Sequence, residues 1–354
     1  MNLRIDEEEY ELFREVEGTG DMRIINKGLR MINQMINVSP LVEELNKVPF
    51  DGVYAYESND INAIAWKEGG TYAIALSFGL FIRIDKWFKL WEVAPLIDSI
   101  FNFEDDEGKK RFFDNCYAFA IIFIACHELY HILNGHCDLK KKTNVMSETR
   151  KESVINDNLF NQILEYDADC CAARYCAALI MNQNSIESAI AQTLRNLIFS
   201  VYNVFLMFCE IDQMTFEELL NEDIDAFDHP HPSIRLAYSV SMVADYVMNY
   251  WRKDQVIQIF SMALNECIAF DRILAEHESL KKSLVAFAYT SKGTDHMKEL
   301  NNRWKNVSKK LREYAFVPLR PYSWVSKIPV WVDDNGEFMM IPEGRGKSKK
   351  QDSD

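Results

Sequence analysis

The chain has 354 residues, 48% of them hydrophobic and 26% charged, so it carries ample material for a packed core. Its 22 Phe, 15 Tyr and 7 Trp argue against intrinsic disorder. Acidic residues outnumber basic ones 54 to 39, a net charge of -15 that lacks the footprint of a nucleic-acid binder.

Eight cysteines are too sparse for a disulfide scaffold, and no CxxC pair offers a zinc ribbon or a thioredoxin-type motif. Cys170, Cys171 and Cys176 crowd one helical stretch, where bridging would strain the geometry. Reduced cysteines in a cytoplasmic protein are the expectation. Met1 to Glu17 is acidic and polar, unlike a secretory signal. The two most apolar runs, Phe119–Cys126 and Leu197–Cys209, fall short of the roughly 20 residues that span a bilayer. They are expected as buried core helices, with no membrane span.

Residues 1–50 read as helical, because Ile24, Ile25, Leu29, Ile32, Met35 and Ile36 recur at spacings of three and four. Short β-rich runs follow at Val53–Tyr56, Ile61–Trp66 and Thr71–Leu76, separated by Ser58-Asn59-Asp60 and Glu68-Gly69-Gly70. They predict a small antiparallel meander. Helices are then expected over roughly Phe112 to Leu133 and Leu159 to Met181, with the charged stretch Asp138–Asn158 between them. Further helices should fill 185–209, 232–250 and 253–314. Pro329–Val332 and Glu337–Ile341 flank Asp333-Asp334-Asn335-Gly336, a hairpin signal. The tail, Glu343–Asp354, has the composition of a disordered segment. The fold class expected is α+β, mainly α. Its domains would be 1–244, a helical C-terminal region 245–342 ending in a β-hairpin, and the tail 343–354.

Chemistry concentrates in His127-Glu128-Leu129-Tyr130-His131. Histidines at i and i+4 share a helix face, so both imidazoles can hold one metal ion. Glu128 lies beside them, placed to act as general base on a water in hydrolysis. The motif ends the very apolar run Phe119–Cys126, so its helix is expected to be central and buried. Polar groups in that setting need a compensating partner, and a metal supplies one.

A catalytic zinc of this type takes a third protein ligand and keeps an open position. A metzincin would place histidine six residues after His131, but Cys137 stands there. His136 lies past Asn134-Gly135, where the helix should end; it is a ligand, a residue behind one, or a residue on the substrate side. Downstream, Glu165 and Asp169 share a helix face beside Ala168, Ala172 and Ala173, small residues that permit close helix approach. Spacing alone does not rank these two carboxylates.

His127–His131 with Glu165-x-x-Ala168-Asp169 resembles the gluzincin metallopeptidases of the M48 type, whose two helices carry HExxH and ExxAD. Asn62-Ala63-Ile64-Ala65, Gly69-Gly70 and Ser77-Phe78-Gly79-Leu80 resemble that family's strand-and-hairpin segment at the active-site cleft. His229-Pro230 with Arg235 matches its HPxxxxR element. The chain is similar as well to soluble phage-exclusion peptidases. The likeness spans roughly 50–240 and implies a zinc-dependent endopeptidase. It assigns zinc to His127, His131 and Glu165, and gives Asp169 the task of orienting a ligand histidine. Substrate would add to the edge strand formed by Asn62, Ala63, Ile64 and Ala65.

His229 and Arg235 carry two readings. One of them stabilises the oxyanion of a tetrahedral intermediate; or the proline-stiffened loop Asp228–Pro232 caps a helix, and Arg235 pairs with a carboxylate. For the whole protein, the alternative to a peptidase is a zinc-stabilised binding or sensor protein without turnover, against which the intact Glu128 argues. The phage-exclusion likeness implies a latent defence effector acting on a protein or peptide substrate, held in check by a regulatory protein partner or by residues 138–158.

Overall fold

The computed structural model describes residues 2–5, 8–17, 20–38, 42–139, 157–182, 186–211, 223–227, 229–278, 284–319, 322, 330–332 and 338–340. Most of the expected linker 138–158, the hairpin turn 333–336 and the tail 343–354 lie outside the described residues.

The fold is α+β and mainly helical. Strands β1 (Asn2–Ile5) and β2 (Glu8–Phe13) precede α1 (Asp21–Val38) and the single turn α2 (Val42–Leu45). Residues 2–13 thus correct the helical expectation for the N-terminus. Strands β3 (Phe50–Tyr56), β4 (Ala63–Glu68) and β5 (Thr71–Ser77) lead into α3 (Phe78–Glu92). Then come α4 (Asp106–Leu133), α5 (Asp157–Met181), α6 (Glu187–Ile211), α7 (Pro232–Val247), α8 (Lys253–Glu278), α9 (Leu284–Phe287) and α10 (Ser291–Leu311). Strands β6 (Val330–Val332) and β7 (Phe338–Met340) pair antiparallel near the C-terminus.

The five-stranded sheet has the order β1-β2-β3-β5-β4. It is mixed rather than an antiparallel meander, because β3 pairs with β5 in parallel while β4 and β5 form a hairpin. The chain leaves β3, crosses past the position β5 will take, and returns through the Gly69-Gly70 turn. β4 is consequently left at the sheet's end, the edge position expected for it.

Alternation along the strands divides their side chains between two faces. Val53, Ala55, Tyr72, Ile74 and Leu76 join the main core, whereas Tyr54, Tyr56, Ala73 and Ala75 form a smaller cluster with Leu3. The apolar face of α1 comes from Ile25, Leu29, Ile32 and Met35, all buried. Among the described residues α4 is long and apolar enough to cross a membrane, yet most of that apolar stretch is buried inside the fold. It packs against α3, α5 and α6 and is the central helix. Phe199, Phe205 and Met207 of α6 are buried in the same core, as expected for the apolar run Leu197–Cys209. This core is continuous across position 244, since Trp304, Leu311 and Tyr322 belong to it.

Candidate metal centre

Helix α4 starts where Asp105 accepts a hydrogen bond from the Gly108 amide, a carboxylate cap at the positive end of the helix. Its last two turns carry His127, Glu128 and His131, all buried. Helix α5 crosses beside it and packs also on α7. Ala168, Ala172 and Ala173 are fully buried on α5, and the same helix presents Glu165 and Asp169 to the histidines.

His127 Nε2 and His131 Nε2 face each other at 3.0 Å. Glu165 closes the triangle, with Oε2 3.0 Å from the first nitrogen and Oε1 3.3 Å from the second. These three residues form a group that could hold a metal ion. The Glu128 carboxylate approaches the same nitrogen of His127, Oε1 to Nε2 4.0 Å.

Outer partners decide which ring nitrogens carry protons. His127 Nδ1 lies 2.7 Å from Asp169 Oδ1, an acceptor, so Nδ1 donates and the inner Nε2 is left with its lone pair. His136 Nε2 lies 2.9 Å from Asp167 Oδ2, which leaves the His136 Nδ1 lone pair to accept from His131 Nδ1 at 2.9 Å. His131 Nε2 then also presents a lone pair. With both rings neutral, two imidazole lone pairs and a carboxylate converge on one point, an arrangement that calls for a cation there, a proton or a metal ion.

The electrostatics agree. Burial alone would depress the basicity of His127, but Asp169 and Glu165 outweigh it and push the pKa up to about 10. The pocket favours positive charge at that nitrogen. His131 is dominated by burial and falls to about 3. Burial raises the Glu165 carboxyl, yet the facing histidines hold it well below its ordinary value. For Asp169, Arg235 and His127 overcome the burial effect and bring it to about 2.

Arg235 of α7 binds Asp169 through two nitrogens, Nε to Oδ2 at 2.7 Å and Nη2 to Oδ1 at 2.9 Å. Tyr238, one turn on, donates its hydroxyl to Asp169 Oδ2 at 2.7 Å. His229 is exposed at the rim, its Nε2 3.9 Å from Glu165 Oε2. His231 caps α7 by accepting from the Ser233 amide. Sequence reasoning passed over Tyr238, Asp167, Asn134 and Tyr322. Tyr238 lies three residues beyond Arg235, the helical spacing that could have found it.

The segment before β4 is fixed by the start of α3. Ser77 Oγ donates to the Asp60 carbonyl at 2.6 Å and accepts from the amides of Asn62 and Leu80. The Ser77 amide donates to the Asn62 carbonyl at 3.0 Å. Asn62 and Ser77 are therefore a hydrogen-bonded pair, and the bonds recur at Ile64↔Ala75 and Trp66↔Ala73. The main-chain groups of Ala63, Ala65 and Lys67 point the other way, off the sheet. Consistent with that, the Ala65 carbonyl meets Cys137 Sγ at 3.8 Å; the Lys67 side chain pairs with Asp138 at 2.5 Å. The open edge of β4 thus runs beside the turn that follows His131.

Comparison with protein-family models, with curated proteins and with solved structures returns no match for this chain.

Proposed function

We propose that the chain is a zinc-dependent endopeptidase whose metal is held by His127, His131 and Glu165. The observation that carries this reading is the convergence of three electron-pair donors on one point, with Glu128 beside them. Tetrahedral zinc with ligands near 2.0–2.1 Å requires donor atoms roughly 3.3 Å apart. The two nitrogens are 3.0 Å apart, and Glu165 stands 3.0 Å from one through Oε2 and 3.3 Å from the other through Oε1, spacings close to that requirement. A set of two nitrogens and one carboxylate suits zinc and leaves a coordination position for water or substrate.

Zinc bound there would supply Lewis acidity and lower the pKa of a water. Glu128 accepts the proton of the attacking water and delivers it to the departing amine as the C–N bond breaks. Asp169 keeps His127 in the tautomer that offers Nε2, and Arg235 with Tyr238 holds Asp169 in place. An extended peptide would pair with the outward main-chain groups of Ala63, Ala65 and Lys67.

The test is Glu128→Gln. The variant should keep fold and zinc content and lose peptide-bond cleavage, read as new N-termini by mass spectrometry in cells expressing each form. If the new N-termini are the same with both, the zinc-stabilised binding protein is the better account.

A further inference from the structure

We propose that Asp167 is a positioning residue for the metal centre, acting through His136 on His131, and that Tyr322 brings the C-terminal region into that relay. The inference rests on the metal-centre reading above and extends it to residues outside the recognisable motifs.

The two histidines are supported differently. His127 has a carboxylate directly behind it, Asp169 at 2.7 Å. His131 has another imidazole behind it, and the carboxylate stands one ring further away. Two facing ring nitrogens at 2.9 Å share one proton, and something must decide which ring owns it. Asp167 decides it. By accepting from His136 Nε2 it leaves the His136 Nδ1 lone pair toward His131, so His131 must donate from Nδ1. In the opposite arrangement the His131 proton would sit on Nε2, between His127 and Glu165, where a metal has to bind. Asp167 therefore selects the metal-competent tautomer across two rings.

Asp167 is itself fixed from two further directions. Asn134, the residue that ends α4, donates to Oδ2 at 2.5 Å. Tyr322 donates to Oδ1 at 2.6 Å, and its hydroxyl is also 3.0 Å from Cys171 Sγ. The Tyr322 ring is held against Tyr166 of α5 and Trp304 of α10. His136, Asp167 and Asn134 are essentially sealed from solvent, so water cannot replace a missing partner. A contact from 155 residues along the chain thus completes the support of one ligand.

The test uses zinc alone, titrated in competition with a chromogenic chelator. Asp167→Asn keeps the shape: the amide oxygen can face His136 and Asn134 while its NH2 faces Tyr322, whose hydroxyl can turn to accept. Zinc affinity should fall about 10–100-fold, the usual range for a lost outer partner. Tyr322→Phe keeps the carboxylate and should lose less, several-fold. Nitrogen-15 NMR of the zinc-loaded imidazoles adds a readout that a merely structural role would not move. The wild type should carry protons on His131 Nδ1 and His136 Nε2, and Asp167→Asn should mix these tautomers. Wild-type affinity and tautomers in Asp167→Asn would overturn the relay while leaving the metal site intact. Should Asp167→Asn fail to fold, Tyr322→Phe carries the test, and unchanged affinity there overturns the proposal. A wild-type chain that takes up no zinc would overturn this proposal and the peptidase reading together.

Discussion

Arg235 grips both oxygens of Asp169, and its guanidinium carbon lies over the Phe205 ring, 4.9 Å from the ring centre. Nε and Nη2 bond that carboxylate and Nη2 also stands 3.7 Å from Glu165 Oε2, so removing the side chain acts first on Asp169, through it on His127, and more weakly on Glu165. Arg235→Gln leaves a buried carboxylate short of its cation, a change that commonly costs about 3–5 kcal/mol. The denaturant midpoint and the zinc content should fall together. Arg235→Lys restores charge without the two-pronged geometry and should recover only part of the loss. A variant of wild-type stability and zinc content that no longer turns over would return Arg235 to a direct role at the oxyanion.

Glu165 and Asp169 should separate when metal content is measured. Glu165→Ala removes one of three donors and leaves two imidazoles, so the purified protein should be largely metal-free. Asp169→Asn keeps the shape but gives up the charge behind His127, so much zinc should remain, bound about 10–100-fold more weakly. Emission spectrometry of the two purified variants distinguishes them. A full Glu165→Ala with an empty Asp169→Asn would reverse the assigned roles.

What could be read in the sequence was the local part. The apolar run Phe119–Cys126 and the i, i+4 pairs His127/His131 and Glu165/Asp169 identify two helices and their chemistry, because helical periodicity is a property of neighbours. Residues 2–13 escaped because their acidic, weakly apolar composition gives no strand signal; β1 and β2 form through pairing with each other and with β3. The parallel pairing of β3 with β5 escaped for the same reason. The Gly69-Gly70 turn announces the β4–β5 hairpin, but nothing local says which of its strands β3 will join. At the site, Asp167 sits within the acidic run that drew attention to α5, yet its partners His136 and Tyr322 lie 31 and 155 residues away. Tyr322 stands in no motif, and only the fold brings it to α5.

Proline scanning of the edge strand should separate binding from folding. The Ala65 amide points off the sheet, so Ala65→Pro removes a donor that only substrate would use. The Ile64 amide points into the β4–β5 ladder, and Ile64→Pro removes a sheet bond. Ala65→Pro should therefore raise KM or abolish cleavage at nearly wild-type stability, whereas Ile64→Pro should lower the melting temperature. Calorimetry with a fluorogenic peptide assay reads both. Equal effects on stability from the two substitutions would count against the outward register and the proposed substrate strand.

Gly79 offers the sharpest test of how α3 positions that strand. Its amide donates to the Ser58 carbonyl at 2.8 Å, drawing the loop 58–62 against the first turn of the helix. A Cβ at this position would lie 2.3 Å from the Asn59 carbonyl oxygen and 2.5 Å from that of Asp60. Both obstacles are main chain, so no flexible side chain can swing aside. Gly79→Ala must push the loop outward, loosening the bonds that Ser77 makes to Asp60 and Asn62. Overpacking of this kind costs roughly 1–3 kcal/mol, a fraction of a typical domain's stability, so the chain should still fold. The metal ligands sit on α4 and α5 rather than on the displaced loop, so zinc content should be unchanged. Activity should fall through KM more than kcat, because the strand that aligns substrate loses its anchor while Glu128 keeps its place. Hydrogen exchange at the Asn62 and Ile64 amides should quicken in the variant. Wild-type KM and wild-type exchange there would mean that the 58–62 loop does not set the position of β4.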